Sequence, residues 1–193
     1  MSFLDAALAF AGSGISVFPL SPDTKIPLKG SHGCLDSTTD QARIREWWQD
    51  EPDANIGIAT GQPSGLIVVD LDGPAAKASV EGKSLPRTPH AKTPRGFHIY
   101  LRGSSDVVPS RVAVLPGIDI RAAGGYVVAP PSRVNSREYA WLASPCDTPL
   151  ADPPEWLAEL LQAPATMPGQ DLPPSILPYS WRSKMGSVLV VSG

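Results

Sequence analysis

Leu66-Ile67-Val68-Val69-Asp70-Leu71-Asp72-Gly73 is the stretch on which the reading of this chain turns. Its unbroken apolar start suits a central strand covered on both faces. The run ends in two aspartates two positions apart, and the period of a strand puts both carboxylates on one face. Like charges at that spacing repel unless a cation lies between them, and hard oxygen donors suit Mg²⁺ or Mn²⁺. The same residues also read as a strand end followed by an Asp-Gly turn.

Outward from this strand, short helices and short strands alternate. Ser2 caps a first helix with Leu4, Ala7, Leu8 and Ala11 at helical spacing, stopped at Gly12 or Gly14. Residues 15–19 read as a strand, and a polar loop follows with Lys25, Pro27, Lys29, Gly30, His32 and Gly33. Thr38 or Thr39 caps a second helix carrying Ile44, Trp47 and Trp48. Residues 55–59 and 66–70 are strands around a Thr60-Gly61 turn, with Gly65 at the second entry. Residues 73–82 predict a short Ala-rich helix, and 97–101, 118–120 and 126–129 predict strands. Between the last two, Ala122-Ala123-Gly124-Gly125 suits a tight hairpin turn. Residues 139–142 add a strand, and 155–162 a closing amphipathic helix with Trp156, Leu157 and Leu160 inward. The expected class is therefore α/β (α+β), a mixed sheet flanked by helices, over residues 1–162. Residues 163–193, with five prolines and no strong period, read as a Pro-rich linker or tail in which Val188 to Val191 is too short to classify.

Composition narrows the class further. A chain of 193 residues allows one domain with a tail, and 22 prolines with 17 glycines leave little room for long helices. No apolar run approaches the roughly 20 residues of a membrane span. The N-terminus lacks a basic segment and carries Asp5, so no secretory signal is expected. Cys34 and Cys146 make neither a disulfide framework nor a zinc pair, and a reducing, cytoplasmic compartment is expected. The net charge of -3 argues against a bulk electrostatic grip on nucleic acid. Its distribution argues otherwise: Lys83, Arg87, Lys92, Arg95, Arg102 and Arg111 face only Asp106 along their stretch, while the acids concentrate between Asp36 and Asp53.

The basic stretch brackets His98, which follows the turn Thr93-Pro94-Arg95-Gly96-Phe97. Lys92 and Arg95 beside that turn suit phosphate oxygens, although a lone histidine also serves structural roles. Asp119, in Gly117-Ile118-Asp119-Ile120-Arg121, points away from its apolar neighbours, as a site carboxylate or an exposed edge residue would. Arg121 shares its face and either binds a triphosphate or neutralises a neighbouring acid. A pair of Asp70 and Asp72 joined by Asp119 has the composition of a two-metal nucleotidyl-transfer site. His32 and His90 have no such context and read as surface residues.

Taken in order, the sequence resembles a known family. The set runs Lys25-x-Pro27, Trp47-Trp48, Asn55-Ile-Gly-Ile-Ala-Thr60-Gly61, Ser64-Gly65 and Asp70-x-Asp72. It continues through Leu85-Pro86-x-Thr88, Thr93-Pro94-x-Gly96-x-His98-x-Tyr100, Gly117-x-Asp119-x-Arg121 and Gly124-Gly125-Tyr126-Val-Val-Ala-Pro130-Pro131-Ser132. This is similar to the bifunctional primase/polymerase (prim-pol) domain of the archaeo-eukaryotic primase superfamily, over about residues 5 to 160. The resemblance implies a compact catalytic core with an RRM-like sheet and two divalent ions, Mg²⁺ or Mn²⁺, on Asp70, Asp72 and Asp119. It implies His98, with Arg121, at the phosphates of a nucleoside triphosphate, where the turn itself also offers Lys92 and Arg95, and single-stranded DNA as template. Plasmid- or phage-type replication and a separate or missing helicase domain follow from the same resemblance, since no phosphate-binding GxxxxGK[ST] loop occurs. One departure is Gly96, where many relatives carry serine; the glycine N–H is a candidate replacement for the lost hydroxyl. Two alternatives stand beside this reading. One is a non-catalytic nucleic-acid-binding or replication-assembly module. The other is a haloacid-dehalogenase-like phosphatase, whose opening motif Val-Val-Asp70-Leu-Asp72-Gly73 resembles but for Pro74.

Overall fold

The computed structural model describes residues 1–103 and 108–162. Along the chain these form α1 (Phe3–Gly12), β1 (Val17–Leu20), a 3-10 turn (Gly33–Asp36), α2 (Gln41–Asp50), β2 (Asn55–Ala59), β3 (Leu66–Asp72) and α3 (Gly73–Val80). There follow β4 (His90–Lys92), β5 (Gly96–Arg102), β6 (Arg111–Leu115), β7 (Ile118–Arg121) and β8 (Tyr126–Ala129). The last elements are β9 (Arg133–Val134), β10 (Arg137–Glu138), β11 (Ala140–Ala143) and α4 (Glu155–Gln162). The apolar run lies inside a six-stranded sheet of order β11-β4-β5-β3-β7-β6, beside a three-stranded sheet β1-β2-β8 and the small β9/β10 hairpin.

The α/β class expected from the sequence holds. The strand pairing is simpler than a mixed sheet, because every ladder between named strands is antiparallel. Short links make this so: β4–β5 and β6–β7 turn back directly, whereas parallel neighbours need a crossover of a dozen or more residues. The readings for residues 163–193, including 188–191, lie outside the described residues, as does Asp106. Among the described residues no helix is long and apolar enough to cross a membrane.

Alternation along β3 builds two cores. Leu66 and Val68 point to one face, where they pack with Phe10, Ile44, Trp48, Ile56, Ile58 and Tyr100 beneath α1, α2 and the smaller sheet. Ile67, Val69 and Leu71 point to the other, with Ile99, Leu101, Ile118, Ile120, Ala76 and Leu157 beneath α3 and α4. Each such fully buried Leu or Ile contributes roughly 1.5–3 kcal/mol relative to exposure. Asp70 continues the first face beyond the point where Val68 is covered, so its carboxylate emerges at the rim of that core.

Two local readings are corrected. Helix α2 is capped by Asp40, whose side chain accepts from the Ala42 N–H at 2.9 Å, instead of by Thr38 or Thr39. Thr38 is engaged before the helix, bridged to Val17 through its backbone while its hydroxyl accepts from the Asp40 N–H. The turn at 122–125 does not close a hairpin: β7 pairs with β3 in the large sheet and β8 with β2 in the small one. Thr60 clamps this crossing, its hydroxyl donating to the Ala122 carbonyl at 2.7 Å and its N–H to the Gly125 carbonyl at 3.0 Å. Gly61, at φ +80°, sits where an added Cβ would come within 2.8 Å of Ala123 Cα, so the two sheet crossings lie backbone against backbone.

Candidate active site

Register aligns the carboxylates that the strand period placed on one face. Asp70 stands opposite His98 on β5 and opposite Asp119 on β7, which makes a transverse row His98, Asp70, Asp119 across three adjacent strands. In that row His98 Nε2 lies 3.5 Å from Asp70 Oδ1. Arg121, two positions beyond Asp119 on the same face, donates to Asp119 Oδ2 at 2.7 Å and lies 4.0 Å from Asp70 Oδ2. Asp72, opposite Gly96, is ion-paired with Arg95 from the β4–β5 turn. Asp119 also accepts from the Ala113 N–H at 2.8 Å, which fixes its second oxygen.

The groups around Asp70 set its protonation. Burial raises the Asp70 carboxyl, but the bond and charge of His98, and then Arg121 and Lys25, outweigh it and hold the group below its ordinary 3.8. Asp70 is thus ionised at neutral pH. The Tyr139 phenol lies against His98, ring centroids 5.7 Å apart, and is pushed up to about 12 by burial and by the charges of Asp70 and Asp72. Burial, with Asp70 as a further cause, pushes the Tyr100 hydroxyl higher still. Tyr100 Oη and His98 Nδ1 are buried without a hydrogen-bond partner among the described residues.

Two cavities open on either side of this row. One of about 320 Å³ is lined by Arg121, Ser110, Gly124, Gly125 and Tyr126. The other, of about 360 Å³, is lined by Asp72, Thr93, Arg95, Asn135 and Arg137. Both share Lys25, Asp70, His98 and Tyr139 as a common wall. A row of ionised acid and imidazole between two polar cavities ringed by cations is suited to holding a phosphate-bearing substrate against a second reactant.

The sequence matches the family described as bifunctional DNA primase/polymerase, N-terminal, over residues 7–156. The chain belongs to the prim-pol family. Among curated proteins no match was found. DNA primase/polymerase activity is the activity of the family, and the match places the Asp70-x-Asp72 segment within it and not with haloacid-dehalogenase-like phosphatases.

Within this prim-pol domain, the structure brings Asp70, Asp119, His98 and Arg121 together and sets Asp72 with Arg95 beside them. Lys92 is not brought there: it pairs with Phe97, on the opposite face of the sheet from His98. A glycine at 96 has a steric reason, since a Cβ there would overlap the Leu71 carbonyl of the paired strand. Its N–H donates to Thr93 Oγ1 at 2.9 Å, so it does not replace a serine hydroxyl toward substrate. His32 is exposed and pairs with Asp36 at 3.0 Å, as a surface histidine would, while His90 is part-buried with its ring against the Thr88 carbonyl at 3.0 Å.

Asp70, Asp72 and Asp119 supply the hard oxygen donors that Mg²⁺ or Mn²⁺ prefers, from paired or same-face positions. Their donor chemistry fits such ions, but the three do not form a ready cage. Among the described residues no group of three or more His, Cys, Asp or Glu is arranged to hold a metal, and Arg95 and Arg121 pair with the Asp72 and Asp119 carboxylates. Sequence reasoning missed Lys25, Tyr139, Asn135 and Arg137 as cavity residues. Only Lys25 carried a signal, as part of the Lys25-x-Pro27 pair.

Proposed function

We propose that this domain carries out template-directed nucleotidyl transfer on single-stranded DNA, making or extending primers in plasmid- or phage-type replication. The observation that carries the reading is the in-register row His98, Asp70, Asp119 with Arg121 and Arg95 at its ends. In the reaction a 3′-hydroxyl oxygen bonds to the α-phosphorus of a nucleoside triphosphate as its proton leaves to solvent, the bond to the β-phosphate bridge breaks, and pyrophosphate leaves. Asp70, Asp72 and Asp119 would hold two divalent ions, which when bound sharpen the hydroxyl as a nucleophile and offset charge on the leaving oxygens.

The chain's own residues supply the rest. Asp70 enters the reaction ionised, with its carboxylate oriented from both sides by the imidazole and the guanidinium. His98, fixed by burial and by the Tyr139 ring, presents one nitrogen to Asp70. Arg121 and Arg95 pair with carboxylates and line the cavities, where their guanidinium groups would meet phosphate oxygens of a bound nucleotide. Template binding by so modest a basic excess is weak and salt-sensitive, assisted by a helicase or another domain.

A primer-extension assay on single-stranded DNA with labelled nucleotides and Mg²⁺ or Mn²⁺ tests the reading. Asp70→Asn keeps the shape of the side chain and removes its charge; it should cut incorporation at least about a hundredfold. Incorporation by the purified variant at the wild-type rate would refute the assignment.

A further inference from the structure

We propose that Lys25 is a phosphate-binding residue of the nucleotide site, resting on the nucleotidyl-transfer reading above. Its side chain lines both cavities on either side of Asp70. The basic side chains that reach the carboxylates are already engaged there: Arg95 with Asp72, Arg121 with Asp119, His98 with Asp70. Lys25 forms no ion pair within 4.0 Å among the described residues. A compact ammonium that faces two cavities without a carboxylate partner is suited to a phosphate oxygen.

The loop beneath it is built to keep that ammonium in place. The Lys25 carbonyl accepts from the Tyr126 hydroxyl at 2.9 Å, and the Thr24 carbonyl from the buried Asn55 amide at 2.9 Å. Asp23 binds the β9/β10 turn at two points: its carbonyl accepts from the Asn135 N–H at 3.2 Å and its carboxylate from the Ser136 N–H at 2.7 Å. Inside the loop, Ser21 and Ile26 close a backbone bond of 2.7 Å. An exposed loop lysine that serves only solubility needs no such bracing by three separate segments. Those segments also carry Tyr126, Asn135 and Arg137 into the cavity walls, so one brace fixes the whole rim facing the sheet.

The test titrates dATP and, separately, inorganic tripolyphosphate onto the full chain in Mg²⁺, for the wild type, Lys25→Met and Lys25→Arg. Lys25→Met should weaken both probes by about tenfold or more, the loss of one charge-assisted hydrogen bond, while Lys25→Arg retains most of the affinity. In primer extension the same variant should raise KM for dATP by a similar factor with kcat little changed. A role confined to holding the loop would leave tripolyphosphate affinity unmoved. Unaltered affinity in Lys25→Met overturns the proposal, as does failure of the wild type to bind either probe. Loss of the nucleotidyl-transfer reading is seen separately, as absence of template-dependent incorporation by a wild type that still binds dATP. Because Lys25 is exposed, Lys25→Met should unfold at the wild-type midpoint; Lys25→Gln makes the same comparison should it not.

Discussion

At the scale of single residues, Gly96 shows how a site position is decided by a backbone on another strand. Its place opposite Asp72 leaves no room for a Cβ beside the Leu71 carbonyl. Gly96→Ser should therefore destabilise the fold by about 1–3 kcal/mol through overpacking. Urea unfolding measures this, and a variant as stable as wild type would show that β3 and β5 can separate at no cost. The same register explains what the sequence could and could not disclose. Asp70, Asp72, Asp119 and Arg121 were readable because strand period alone puts each pair on one face. That His98 meets Asp70, and that Lys92 faces away, depends on which residue stands opposite which, and period carries no information on that. Lys25 and Tyr139 reach the site from outside the six-stranded sheet, and the Lys25 carbonyl is held by the Tyr126 hydroxyl from far along the chain.

At the scale of elements, the two crossings between sheets are the joints that set the site's depth. The 60–61 turn and the 122–125 turn each pass the chain from one sheet to the other and touch through backbone. Read locally, Ala122-Ala123-Gly124-Gly125 has hairpin chemistry; the partner of β8 is decided instead by β2, whose apolar residues need covering on the small-sheet side. Gly61 and Gly65 separate the two costs of a side chain at such a joint. Both have positive φ, +80° and +61°, but an added Cβ meets the Ala123 backbone at Gly61 and open space at Gly65. Gly65→Ala should cost about 1–2 kcal/mol for the left-handed backbone alone. Gly61→Ala should cost that and about 1–3 kcal/mol more for the contact. Equal losses in chemical denaturation would mean that the crossings do not press on each other.

At the scale of the whole molecule, the rim carboxylates and the phenols behind them couple stability to pH on the alkaline side. Tyr139 and Tyr100 are buried on the face of the sheet that carries Asp70, and burial together with the carboxylate charge disfavours their phenolates. In the unfolded chain each ionises near its ordinary 10, whereas in the folded chain Tyr139 holds its proton to about 12 and Tyr100 beyond that. Above pH 10 the unfolded state therefore binds fewer protons than the folded state, so the unfolding free energy falls as pH rises. Their contribution is fully present below pH 10, and the part owed to Tyr139 is lost between 10 and about 12. Replacing Tyr139 with phenylalanine removes that proton from the balance without removing the ring that packs on His98. Stability of Tyr139→Phe, followed by urea unfolding at stepped pH, should fall less steeply than wild type across this interval and converge with it below pH 9 in slope, roughly. Parallel curves would mean that the Tyr139 phenol ionises as freely in the folded site as in the open chain, and that the acidic row does not extend its field to the wall shared by the two cavities.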